Sequence, residues 1–100
     1  MTVTIFDNDD RAYLAWLSTH PKGFVVNSRR KFDPNYLVLH RATCGSVNVF
    51  PGMEERPGGF TARNYVKLGA DSISSLEKHL EYFTGSNQPF SKECSACKPR

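Results

Sequence analysis

Four residues in this sequence have types and spacings that could do chemistry. Cys94-Ser95-Ala96-Cys97 is a C-x2-C pair, and His40-Arg41-Ala42-Thr43-Cys44 is an H-x3-C pair. Two thiolates at that spacing can bind one tetrahedral ion, and one His with three Cys is a common ligand set for structural zinc. The chain has three cysteines, and an odd number without an export signal argues against a disulfide framework. His40, Cys44, Cys94 and Cys97 are therefore expected to hold a structural zinc ion in a closed site. The C-terminal segment supplies a second reason. It is polar and without periodicity, and such a tail frays unless something ties it down. Metal binding gives zinc-finger peptides about 10–16 kcal/mol, similar to the whole stability of a typical domain at roughly 5–15 kcal/mol.

Other readings of these thiols stay open at this point. A C-x2-C pair can be a redox dithiol, but that chemistry favours a first Cys at a helix N-terminus, and here only Lys98, Pro99 and Arg100 follow. The two tail thiols could be idle in a disordered segment, and Cys44 could be an ordinary buried Cys acting as a small hydrophobe. Without a metal, Cys44 and His40 become a nucleophile–base candidate. His20 and His79 read as surface residues. Beyond these groups there is no pair of titratable residues that the pattern brings together for acid–base work, so the sequence points away from an enzyme.

The basic residues suggest a second kind of chemistry. The net charge is +3, but it is unevenly spread: residues 20–70 carry eight Lys or Arg against three acidic residues, while residues 1–19 are net acidic. A basic middle points toward an anionic partner, nucleic acid first, although a solubilising surface accounts for it equally well. Two clusters stand out. Arg29-Arg30-Lys31 sits at a predicted hairpin tip. In Phe60-Thr61-Ala62-Arg63-Asn64-Tyr65-Val66-Lys67-Leu68, the period-two alternation of a strand puts Thr61, Arg63, Tyr65 and Lys67 on one face. Cations there can contact phosphates and the ring can stack on a base. Arg29, Arg30, Lys31, Arg63, Tyr65 and Lys67 are thus the candidate nucleic-acid contacts. The competing reading is a solvated outer face.

The elements that must position these residues can be read from periodicity and punctuation. Residues 9–20 are expected to be helical: Asn8 or Asp9 can cap the first turn, Tyr13, Leu14, Trp16 and Leu17 form an apolar stripe, and Pro21 and Gly23 stop it. Phe24–Asn27 and Tyr36–His40 read as strands joined through Asp33-Pro34-Asn35, an antiparallel hairpin. Ser46–Phe50 is a weaker strand candidate, Pro51–Gly59 a loop, and Phe60–Leu68 a further strand. Residues 72–83 form the second predicted helix, with Asp71 or Ser72 as N-cap, Ile73, Leu76, Leu80 and Phe83 at helical spacing, and Gly85 ending it in a left-handed conformation. The order implies one α+β domain over residues 1–100: an antiparallel sheet of three to four strands with an N-terminal and a C-terminal helix on one face, and the tail stapled by zinc.

At 100 residues the chain suits one domain with a thin core, a size at which a metal staple is common. No apolar run approaches the roughly 18 residues of a membrane span. The opening MTVTIFDNDD has neither a basic stretch nor a long apolar one, so no signal peptide is read and a cytoplasmic protein is expected.

The blocks Tyr36-Leu-Val-Leu-His-Arg-Ala-Thr-Cys44, Phe60-Thr-Ala-Arg-Asn-Tyr-Val-Lys67 and Cys94-Ser-Ala-Cys97, with Tyr13-Leu-Ala-Trp-Leu17 and Gly23-Phe-Val-Val-Asn-Ser-Arg-Arg30, span most of the chain. They resemble a family of small bacterial proteins and domains, similar to ones found beside restriction or nuclease-type modules. The resemblance implies a small single domain in a DNA-defence setting, and attaches no activity and no catalytic residue. The functional expectation is a zinc-stabilised, non-catalytic nucleic-acid-binding module. The alternative is a protein–protein interaction module, such as one partner in a defence or toxin–antitoxin system, for which Phe32 and Phe90 in predicted loops would offer contacts.

Overall fold

A computed structural model gives the architecture, and it describes residues 3–45, 47, 61 and 65–100. The elements run β1 (Thr4–Phe6), α1 (Asp10–Thr19), β2 (Phe24–Arg29), β3 (Leu37–Arg41), β4 (Tyr65–Ala70), α2 (Ile73–Thr84) and β5 (Lys92–Glu93). The five strands form one sheet in the order β1-β4-β2-β3-β5. The α+β class and the β2–β3 hairpin are as expected, with Val25 opposite His40 and Val26 opposite Leu39. Two strands are additional to the expected ones, and β5 runs parallel to β3, so the sheet is mixed rather than antiparallel. The expected strand at Ser46–Phe50, the loop at Pro51–Gly59 and the first part of the strand at Phe60–Leu68 lie outside the described residues, apart from Val47 and Thr61.

The helices cover opposite faces of the sheet, not one. Period-two alternation makes this visible at Val25 and Val26, both fully buried but in different clusters. Val25 packs with Phe6, Tyr13, Leu17, Ala42, Cys44, Val47 and Cys94 on the α1 side. Val26 packs with Leu37, Leu39, Leu68, Ala70, Leu76 and Leu80 on the α2 side. A central strand buried on both faces needs apolar side chains at consecutive positions, and Phe24-Val25-Val26 supplies them.

Local signals set the helix ends. Asp9 caps α1, its side chain accepting from the Ala12 N–H, which satisfies a donor that the first turn leaves unpaired. The Trp16 indole lies against β4 at Gly69, where an added Cβ would come within 2.9 Å of the ring; only glycine admits this approach. Ser72 caps α2 by accepting from the Ser75 N–H, and Gly85 closes it at φ 71°. Among the described residues, no helix is long and apolar enough to cross a membrane.

Candidate metal centre and polar sheet face

His40 lies near the end of β3, and its even position turns it to the α1 face beside Val25. The chain then turns, with the Cys44 N–H donating to the Arg41 carbonyl and the Val47 N–H to that of Cys44. This brings the Cys44 thiol under the same face. Cys94 arrives from the other end of the chain because β5 adds to the edge of β3: the Ser91 N–H donates to the Leu37 carbonyl and the Cys94 N–H to that of Leu39. A turn follows, closed by the Lys98 N–H on the Cys94 carbonyl at 3.0 Å, with Lys98 at φ 46°. That turn swings Cys97 back toward His40.

The outcome is one cluster. The ligand atoms of His40, Cys44, Cys94 and Cys97 all lie within 4.8 Å of one another. A tetrahedral ion with metal–sulfur bonds of about 2.3 Å needs sulfurs roughly 3.8 Å apart. The Cys44 and Cys94 sulfurs are 3.8 Å apart. Among the described residues, His40 Nδ1 is the buried side-chain nitrogen or oxygen with no hydrogen-bond partner. Such a group is costly unless something satisfies it, and a cation at the centre of the cluster would do so. The four residues brought together are the four expected from their spacing, and the arrangement is compatible with a metal site. His20, stacked on Trp16, and His79, against Phe83, are not among them.

The electrostatics of the metal-free cluster fit a cation-binding role. Burial lowers the His40 pKa, helped by Lys67 and Lys92, which favours the neutral imidazole that ligates metals. Burial pushes the Cys94 thiol up, but the backbone N–H groups of Cys97 and Ala96 and the adjacent thiols outweigh it, and the net direction is down. Cys97 is pushed up to about 11, by burial and then by the neighbouring thiols, against the Arg41 N–H. That N–H donates to the Cys97 sulfur at 3.2 Å, and the Arg41 side chain grips the Cys97 and Lys98 carbonyls. Three sulfurs this close cannot all ionise in the absence of a compensating positive charge.

The basic candidates separate into different roles. Lys67 is only 5% exposed and donates to Asn27 Oδ1 at 2.8 Å, so it is an interior residue and not a surface phosphate contact. Arg30 is committed to the Asp7 carboxylate and the Thr61 carbonyl. Thr61, expected on a wet face, is fully buried and anchors the start of α1 by bonding to Asp10 and accepting from the Asp9 N–H. Arg63 lies outside the described residues. Lys31 is exposed.

Arg29 and Tyr65 meet as register partners on β2 and β4. Tyr36, ahead of β3, completes a group that spacing alone did not reveal. The Tyr36 and Tyr65 rings are 5.5 Å apart, and the Arg29 guanidinium lies 4.7 Å from the first centroid and 5.7 Å from the second. Asn27 links Lys67 to the Tyr36 hydroxyl. The available signal was parity: residues 25, 27 and 29 share a face, and the antiparallel hairpin sets them against β3 and the Tyr36 that precedes it.

No family model, curated protein or solved structure matches the chain.

Proposed function

We propose that the chain is a non-catalytic, zinc-stapled module that binds single-stranded nucleic acid across the Tyr36–Tyr65 face. The observation that carries the metal reading is the cluster of one imidazole and three thiols within 4.8 Å, with His40 Nδ1 buried and unsatisfied. Three thiolates and one imidazole in tetrahedral arrangement suit zinc, and all four positions being protein ligands suits a structural rather than a catalytic ion. The ion would hold the tail against β3 and leave no open position for a substrate.

Supporting the nucleic-acid reading is the Tyr36–Tyr65 pair under the Arg29 guanidinium. Unpaired bases stack on such rings at about 1–3 kcal/mol each, and Arg29 and Lys31 would meet the phosphates. Arg30 and Lys67 are left out, because both have internal partners. The resemblance to domains that stand beside nuclease-type modules supports a DNA-defence setting.

Elemental analysis of protein purified without added metal tests the first part; about one zinc per chain is expected, and a ratio near zero overturns it. Fluorescence anisotropy with labelled oligo-dT and oligo-rU tests the second. Y36A and Y65A should each weaken binding by roughly five- to a hundredfold, the equivalent of one lost stack. Two phosphate contacts predict a log–log salt slope of about −1.4. Binding unchanged in both variants would overturn the assignment of this face.

A further inference from the structure

The α2 face of the sheet carries a feature that neither the metal nor the tyrosine pair uses. Ile5, Val66 and Leu68 from β1 and β4, Leu80 and Phe83 from α2, and Phe32 from the β2–β3 connection line an apolar groove of about 190 Å³. Sites for drug-sized molecules enclose about 300–1,000 Å³, so this hollow suits a single large side chain. Beside the hollow stands a projection. Tyr82 is 86% exposed, and its ring meets that of Phe83 edge-on at 5.3 Å. Phe83 is shared between the two: it walls the groove and shoulders the projecting ring.

The extent of the patch shows what it can hold. Phe32 stands 6.2 Å from Phe83, and the two are 45% and 56% exposed, with Ile5 across the groove at 54%. A large aromatic side chain presents roughly 150–250 Å², so these three residues and Tyr82 leave about 400–500 Å² of apolar surface open on one side of the molecule. One side of a standard interface covers about 800 Å², a little over half of it apolar. The patch therefore offers the apolar area that each half of a stable dimer requires, and the polar residues around it would form the rim.

Shape identifies the occupant. A two-fold interface is self-complementary: where residue i of one copy touches residue j of the other, j also touches i. A face that bears an aromatic projection next to a hollow for one side chain meets that condition. A single two-fold axis between them seats both rings at once, whereas a different protein would have to supply a matching ring and a matching hollow together. We infer that this face is a two-fold interface between copies of the chain, in which each Tyr82 ring enters the groove of the second copy between Ile5, Leu80 and Phe83. The buried tyrosines are the anchors, as aromatic residues are at other interfaces. The interface lies on the α2 face and is independent of the nucleic-acid reading.

Sedimentation of zinc-supplemented protein over a concentration series tests it. The wild type should pass from monomer to dimer and stop there, because a two-fold contact is closed. Y82S and F83S should each raise the dissociation constant about tenfold or more, the scale of one lost anchor. Both residues are more than half exposed, so each variant should keep the wild-type circular dichroism and zinc content. Y36A, on the other face, should leave dimerisation unchanged. In a mixture of isotope-labelled and unlabelled chains, filtered NOEs should connect the Tyr82 ring of one copy to the Ile5 and Leu80 methyls of the other. A chain that stays monomeric at millimolar concentration would overturn the proposal and leave the groove to a different protein. So would a dimer insensitive to Y82S and F83S, a dimer dissociated by Y36A, assembly that continues past the dimer, or a dimer without those NOEs.

Discussion

The two faces of the sheet are held by different means. On the α2 face, Val26, Leu37, Leu39, Leu68, Leu76 and Leu80 close into an apolar cluster in which every member is at most 5% exposed. On the α1 face the apolar cluster includes two of the thiols, Cys44 and Cys94, and the same face holds a buried lysine and the tyrosine pair. The first face can be stable through burial alone. The second joins the tail to β3 through a two-residue strand with both residues exposed, and the apolar anchors beside that strand are few: Phe90 against the α2-side cluster, and Cys94 and Cys97 on the α1 side. Ordering residues 91–100 costs about 1–2 kcal/mol of backbone entropy apiece, the same order as what a structural zinc contributes. The comparison predicts a molecule with one metal-dependent half and one metal-independent half.

Removing the metal breaks the comparison most sharply. Chelation, or Cys94→Ala, should release β5 and the tail and cost more than about 5 kcal/mol of stability. In hydrogen exchange the Cys94 and Lys98 amides should lose protection, while the amides of α2 and of the β2–β4 pairing keep a large part of theirs. Uniform loss across both faces would show that the α2 face does not stand alone.

Leu76→Ala attacks the other half. Leu76 is fully buried, and such truncations cost about 2–5 kcal/mol. The cost should be the same with and without chelator, since separated sites contribute additively, and zinc affinity should not change. A fall in zinc affinity in this variant would mean that the two faces are coupled.

A smaller effect belongs to the buried lysine. Burial pulls the Lys67 pKa from 10.5 down to about 8, against the pull of Asp10. Between these values the unfolded chain binds more protons than the folded one, so stability should rise with pH over that window. Below it, the penalty for burying the charge is fully present. The rise is bounded at about 3 kcal/mol by the size of the shift. Urea unfolding of zinc-loaded protein across the window should show the rise in the wild type and a flatter profile in Lys67→Met. Parallel profiles would assign the pH dependence elsewhere.

Much of this division could be read before any coordinates. The cluster of His40, Cys44, Cys94 and Cys97 was legible because each half is a local pattern: the turn at His40–Cys44 and the turn at Cys94–Cys97 need only their own spacing, and a shared tetrahedral ion is what that pattern suggests for the two halves together. Both helices were legible to within a residue, since Asp9, Ser72 and Gly85 act through neighbours in the chain. β1 and β5 were not. They are three and two residues long, and their pairing partners, rather than any pattern of their own, make them strands. Nor were the fates of Arg30, Thr61 and Lys67. A polar side chain becomes interior or surface according to what packs over it, and for these three the partners lie 23 to 52 positions away. The helices' opposite placement follows from Val25 and Val26 both being buried and apolar, a signal present in the sequence but not used when both helices were placed on one face.

The smallest effect sets two left-handed residues against each other, one from each half. Gly85 ends α2 at φ 71°, and an added Cβ there would meet nothing within 4 Å. Gly85→Ala therefore isolates the backbone cost, about 1 kcal/mol, and should lower stability equally in the zinc-loaded and chelated states. Lys98 closes the Cys94–Cys97 turn at φ 46° with a side chain that this region disfavours. Lys98→Gly removes that strain but adds freedom to the unfolded chain, so the net gain should be below about 0.5 kcal/mol. It should appear only when zinc is bound, as a slightly slower loss of metal to a chelator, because without the ion the turn is not held in that conformation. An equal gain in the chelated protein would mean that the turn forms by itself, and that the tail is held by the Arg41 bonds to the Cys97 and Lys98 carbonyls and by the ion pairs of Arg100 with Glu77 and Glu93 rather than by the metal.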